Sequence, residues 1–327
     1  MKIAITGATG FIGKNFINQI DECENEYICI ARKSSNVKNV ASKSNVKKRI
    51  IDFEHEQELV EGLKDIDVVI HMVGKMGEYG TPYDEYEKTN CTLTKEIVRA
   101  CVKNSVKQFI YLSTPGVQGF GKRLAVEEEK YAPRNLYEIT KVKAEEIVID
   151  ELTDSEVKYT IIRPDFVYGP EDYRRIKMYK NIRDKKFVLT TSGRSYLHPT
   201  HVYDVIQGIN CCIGNPNAYN QIFNISAEND ITVEKYLSII AEYFNTKIIK
   251  INIGYSLSCI LATLIEKACN ILLRKDGFVS KNKIDFLSLD HSTSCKKAKE
   301  LLGYEPQYDF RDGFENTMIW IEKNNLL

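Results

Sequence analysis

Two side chains four residues apart, Tyr137 and Lys141, stand in the segment Tyr137-Glu138-Ile139-Thr140-Lys141. On a helix, positions i and i+4 share a face, so a phenol and an amine at this spacing can reach one bound molecule together. A free phenol titrates at about pH 10 and is a poor base at neutrality. A neighbouring ammonium favours the phenolate and draws that pKa towards working pH. The pair suits a proton transfer coupled to hydride movement at a carbinol or keto carbon. Upstream, Ser113-Thr114 close an apolar run. A hydroxyl there can hydrogen-bond a reacting oxygen and share its developing charge.

The second chemical signature is Thr6-Gly7-Ala8-Thr9-Gly10-Phe11-Ile12-Gly13, after a β-branched run and before an amphipathic stretch. Gly7, Gly10 and Gly13 permit a tight turn, close approach of backbone to a pyrophosphate, and close helix–strand packing. Phe11 and Ile12 open the helix, whose unpaired N–H groups and partial positive charge attract phosphate. Position in the chain makes the pattern specific: strand, glycine turn, helix. A dinucleotide is the expected ligand. NAD sites carry an acid at the end of the second strand, whereas an Arg there accommodates a 2′-phosphate. Here the chain reads Ile30-Ala31-Arg32-Lys33, and residues 32–49 hold seven Lys/Arg and no Asp or Glu. Arg32 predicts NADP ahead of NAD through charge-assisted hydrogen bonds; the lysines beyond it belong to a solvated loop.

These groups need a scaffold, and the chain supplies an alternating one. Nearly continuous apolar runs at 2–6, 27–31, 46–51, 67–72, 106–112 and 158–163 read as buried parallel strands. Between them, 11–20, 54–63, 83–103 and 135–151 are long enough for crossover helices. The pattern predicts an α/β fold, a Rossmann doubly wound parallel sheet. After 164 the rhythm loosens into short strands (187–190, 221–225, 247–251) among helices at 172–184, 202–213 and 232–244, and the last 70 residues read as wholly helical. The expected division is a dinucleotide-binding domain at 1–165 and a smaller α+β substrate lobe at 166–327, with 200–225 returning to the first domain.

The 327 residues are 43% hydrophobic and 28% charged, a globular composition that excludes collagen-like and disordered classes. Forty-five basic residues balance 45 acidic ones, so no global field recruits nucleic acid, and the basic 32–49 run lacks interleaved aromatics. The start of the chain shows no secretory pattern, and nine scattered cysteines without a C-x-x-C pair predict reduced thiols in a cytoplasm and no metal. The stretch 256–273 is strongly apolar, but Glu266-Lys267 interrupts it before about 20 clean residues accumulate. A packed helix of the small lobe is the favoured expectation. An interfacial helix, or a groove for an acyl or polyprenyl chain, is the alternative.

The glycine motif, Tyr137-x-x-x-Lys141 about 25 residues beyond the fifth strand, Arg163-Pro164-Asp165-Phe166-Val167-Tyr168-Gly169-Pro170, His198-Pro199-Thr200-His201-Val202-Tyr203-Asp204 and Lys297-Ala298-Lys299-Glu300-Leu301-Leu302-Gly303-Tyr304-Glu305-Pro306 together resemble the extended short-chain dehydrogenase/reductase superfamily. Within it, the similarity is to the NAD-dependent epimerase/dehydratase group, and it extends over nearly the whole chain. The resemblance implies that Thr114 completes a catalytic set with Tyr137 and Lys141, and that Lys141 also holds the nicotinamide ribose. It further implies that Asp52 and Phe53 meet the adenine and that Met72, Val73 and Gly74 pass under the dinucleotide. Asn90 would support the cofactor side, Ser113, one residue before Thr114, would also meet the cofactor, and Pro164 to Val167, Phe166 among them, would line the nicotinamide. A homodimer through the 83–103 and 135–151 helices is implied too, as is a nucleotide-diphosphate sugar as substrate, of the kind used in polysaccharide biosynthesis. An epimerase and a ketoreductase are both compatible; Pro115-Gly116 after Thr114 disfavours dehydration. A lipid-diphosphate-linked sugar or another hydrophobic alcohol or ketone is an alternative substrate, with peripheral membrane contact. A non-catalytic NADP(H)-binding sensor or regulator is the reading from another class. Arg174, Arg175, Arg194 and Arg274 are candidate diphosphate anchors. His198 and His201 are expected to line the cleft or cap a helix rather than bind metal.

Overall fold

A computed structural model describes residues 1–327 apart from 23, 24, 41, 77–79 and 274–280, with backbone alone for 39 and 268–273. Seven strands form its main sheet: β1 (Lys2–Thr6), β2 (Glu26–Ala31), β3 (Val46–Ile50), β4 (Val68–His71), β5 (Gln108–Leu112), β6 (Lys158–Pro164) and β7 (Gln221–Ile225). Every pairing is parallel, and the order is β7-β6-β5-β4-β1-β2-β3. This is the doubly wound Rossmann arrangement. The order reverses between β1 and β4, which pair from Ile3↔Val68 to Thr6↔His71, and a crevice opens beyond their carboxyl ends.

Alternation along each strand divides the core. Ile3 and Ile5 point to one face and pack with Phe16, Ile17, Val205 and Ile209, while Ala4 points to the other with Ile28, Val69, Ile97 and Val148. Both faces are thus covered by helices, which is why the inner strands read as unbroken apolar runs; the edge strand β3, Val-Lys-Lys-Arg-Ile, is largely exposed and not the buried apolar run expected at 46–51. A third cluster, around Tyr179, Leu197, Tyr236, Ile240, Phe314 and Met318, lies in the second half of the chain.

Three expectations need correction. Residues 83–103 are not one regular helix: Tyr83–Tyr86 and Leu93–Lys103 are α-helical, and Glu87–Thr92 between them is π-helical. Nor are the last 70 residues wholly helical. His291–Thr293 is a strand, and it joins Lys122–Ala125, Tyr196–Leu197 and Ile231–Thr232 in a second, four-stranded sheet. Three-residue strands carry too little periodicity to be seen in sequence. Thirdly, 256–273 does form a helix, Tyr255–Leu273, but Leu257, Ile260, Leu261, Leu264 and Ile265 are exposed rather than packed.

Candidate active site

The glycine turn follows β1 directly. Gly7 has φ +81°, and a Cβ there would lie 2.8 Å from the backbone carbon of Met72, so both conformation and space demand glycine. At Gly13 a Cβ would come within 2.2 Å of the Gly7 oxygen, so any side chain would push the helix off the turn. Helix Phe11–Gln19 begins after Gly10 with no side-chain cap, leaving its first N–H groups open. Backbone donors, bare of side chains and backed by β4, fit a pyrophosphate.

A cavity of about 500 Å³ extends from this turn. Its wall includes Gly7, Gly10, Phe11, Ile12, Gly13, Met72, Val73, Gly74, Ser113, Thr114, Tyr137, Lys141, Pro164, Phe166 and Val167. Residues from five separate segments therefore meet where the motifs place them. Ser113 Oγ is buried with no partner, an unspent hydroxyl of the kind a bound ligand satisfies. Phe166 holds φ +29°, a strained backbone for a bulky residue, two residues beyond the end of β6.

Other expected residues lie elsewhere. Arg32, Asp52 and Phe53 sit at the carboxyl ends of β2 and β3, on the same edge of the sheet but outside the cavity wall. Arg32 is exposed, and its guanidinium makes no ion pair among the described residues. Asn90 is buried in the π-helical segment and does not line the cavity. Instead its side chain accepts from Lys75 N (2.7 Å) and donates to Lys75 O (3.1 Å) and Thr140 Oγ1 (2.9 Å). It clamps the loop after β4 to the helix bearing Lys141. Of the candidate diphosphate anchors, Arg174 and Arg175 line the cavity and share Asp172 as partner; Arg194 does not line it, and Arg274 lies outside the described residues. His201 caps helix Val202–Cys212 by accepting from Tyr203 N, and His198 is buried against Thr293 O.

Helix Leu136–Leu152 carries the Tyr–Lys pair. Asn135 accepts from Glu138 N at its start, while Glu138 reaches back to Arg134 N, a reciprocal cap that fixes the turn holding Tyr137. Farther along, Glu145 receives both Nε and Nη2 of Arg163 from β6 at 2.9 and 2.6 Å, in a pair almost wholly out of water. That fork registers the helix against the strand leading to Phe166. Sequence reasoning missed it, because nothing local links residues 145 and 163. It also missed the buried series Thr6–His71–Thr94–Asn90 beneath the crevice, and the remote wall residues Phe120, Phe286 and His291.

Burial dominates the electrostatics. Lack of water pushes the Tyr137 phenol up to about 12, although Arg174 and the Thr114 hydroxyl pull it down. The same loss of water drops the Lys141 ammonium to about 7, partly opposed by Glu145. Lys141 Nζ donates to Tyr111 Oη and Leu112 O, each at 2.6 Å. The cation that acts on Tyr137 here is therefore Arg174, where the spacing pointed to Lys141. Asp165, holding Thr293 N and Oγ1 at 2.9 and 2.8 Å, is raised to about 7 by burial.

The NAD dependent epimerase/dehydratase family matches residues 3–226. The chain belongs to this family. As a member, it is a nicotinamide-dinucleotide-dependent enzyme of the epimerase/dehydratase type. It is 24% identical to a UDP-glucose 4-epimerase of Vibrio cholerae, over 99% of the chain and 96% of that protein. It is 23% identical to N-acetyl-alpha-D-glucosaminyl-diphospho-ditrans,octacis-undecaprenol 4-epimerase of Escherichia coli O157:H7, over 97% and 94%. Its fold matches UDP-glucuronic acid 4-epimerase from Bacillus cereus in complex with NAD, with a TM-score of 0.79 and 21% identity over 99% of both chains.

Proposed function

We propose that this epimerase/dehydratase moves a hydride at a carbinol or keto carbon, C4, of a nucleotide-diphosphate sugar, with Tyr137 as acid/base. One observation carries the reading: the glycine turn, the Thr114–Tyr137–Lys141 set and the cations Arg174 and Arg175 share a single cavity. When bound, the nicotinamide supplies a hydride acceptor and donor. Tyr137 Oη passes a proton to or from the sugar oxygen, and Thr114 Oγ1 holds that oxygen in place. Lys141, desolvated and poised near neutrality, would hold the nicotinamide ribose, and Arg174 is the cation that favours the Tyr137 phenolate. Arg174 and Arg175, two cations against the one carboxylate of Asp172, leave a net positive charge for a diphosphate.

NADP is the proposed form of the cofactor, supported by the unpaired Arg32 guanidinium at the end of β2 and the absence of an acid there. The substrate side falls to residues beyond 165, with 200–225 returning to the sheet. A homodimer would pair helices Leu93–Lys103 and Leu136–Leu152, which lie side by side on one face of the sheet. A lipid-diphosphate-linked sugar is the second reading, favoured by the apolar wall of Phe120, Phe166 and Phe286.

The test begins with protein purified under mild conditions, denatured, and the released dinucleotide identified by mass spectrometry. Protein loaded with that cofactor is then incubated with UDP-hexoses and the products read by NMR. Inversion at C4, or reduction of a 4-keto sugar, supports the proposal; inertness towards every nucleotide sugar with turnover of a lipid-linked one replaces it with the second reading.

A further inference from the structure

Over its described side chains, residues 255–267, helix Tyr255–Leu273 is inside-out. Leu257, Ile260, Leu261, Leu264 and Ile265 fall at the i, i+3, i+4, i+7, i+8 positions of one stripe, yet they are 38–58% exposed. The opposite face meets the protein with small residues: Ser258 and Ala262 are buried, and Ser258 Oγ donates to Thr190 O at 3.1 Å. Apolar exposure continues into the preceding strand pair, where Val188, Ile249 and Ile251 are also open to solvent. A contiguous apolar surface of this kind marks an interaction site.

Charge identifies the occupant. The whole chain is neutral, but among the described residues of 245–285 five lysines, Lys247, Lys250, Lys267, Lys281 and Lys283, stand against Glu266 and Asp285. A second copy docking through this face would bring basic segment against basic segment. A convex ridge offers a single acyl chain no groove. Among the described residues no helix is long and apolar enough to cross a membrane. An apolar stripe bordered by basic residues and too short to span suits the surface of an anionic bilayer.

We infer that the outward face of this helix docks the protein on an anionic lipid bilayer, Leu257, Ile260 and Leu264 entering the acyl boundary. The inference is independent of the substrate proposed above. It places the cavity at the lipid surface, because Tyr255 Oη donates to Asp285 Oδ1 at 2.8 Å, Arg134 Nη2 grips Asp285 Oδ2 at 2.5 Å, and the next residue, Phe286, is part of the cavity wall.

Co-sedimentation of the full chain with vesicles tests it, using phosphatidylcholine alone and phosphatidylcholine mixed with phosphatidylglycerol. Binding to the mixed vesicles, weakened by salt, is expected. The double variant Ile260→Ser/Leu264→Ser should lower the partition coefficient about tenfold or more, with melting temperature and dinucleotide affinity unchanged. Absence of wild-type binding to the mixed vesicles overturns the inference, as does equal binding of the variant. A dimer that the double substitution dissociates, with no vesicle binding, assigns the face to a second copy instead.

Discussion

At one end of the cavity the binding surface is backbone, and at the other it is side chain. Gly7, Gly10 and Gly13 leave N–H groups bare at the start of a helix, and their contribution depends on what is missing. Tyr137, Lys141 and Thr114 come from a helix and a strand end, and their contribution depends on how far the protein has displaced their proton affinities. The first end is rigid by steric exclusion. The second is tuned by desolvation and by neighbours such as Arg174 and Glu145. Binding and chemistry should therefore fail separately.

The harshest test is Gly13→Val, whose side chain would collide with the Gly7 carbonyl. Dinucleotide binding, read by calorimetric titration, should disappear; an unchanged Kd would remove the backbone cradle from the comparison. Tyr137→Phe should act at the other end alone. Turnover should fall by about 10³-fold while dinucleotide affinity stays within a few-fold. A non-catalytic sensor would be indifferent to this change in its ligand response. Arg32→Ala should weaken NADP(H) by about tenfold and leave NAD(H) untouched, which competitive binding would show.

The smallest expected effect is on stability. Asp165 keeps its proton up to about pH 7 in the folded chain, against a usual value of 3.8. The unfolded chain gives the proton up first, so the wild type loses stability as pH rises between those values and levels off above. Asp165→Asn has no such proton to hold. Its melting temperature relative to wild type should rise across that window, with the gain greatest near pH 8 and least near pH 4. A pH-independent difference would mean that Asp165 is ionised in the fold.

What could be read in advance follows the same division. The sheet was legible because burial on both faces writes itself as unbroken apolar runs in its inner strands, and six strands came within two residues at each end. The cradle was legible because only glycine satisfies it. Around Tyr137 the sequence disclosed which groups react but not what sets their charge: Arg174 and Glu145 act through space. Strand His291–Thr293 and its wall residue His291 gave no local signal, since the strand's partners at Leu197 and Lys122 lie more than ninety residues away. At the helix Tyr255–Leu273 the apolar stripe was visible, but which side of it faced water was not, because amphipathicity has no sign until a neighbour is known.

The second sheet sets an order of assembly. All seven strands of the main sheet, and the glycine turn between β1 and its helix, lie before residue 226. The strand His291–Thr293, which lies alongside Lys122–Ala125 and carries His291 into the cavity wall, comes from the final eighth of the chain. During synthesis the N-terminal part emerges first and folds as a unit. A nascent chain can thus possess a finished dinucleotide cradle while its substrate chamber still lacks a side, which leaves room for cofactor capture before the reaction vessel closes.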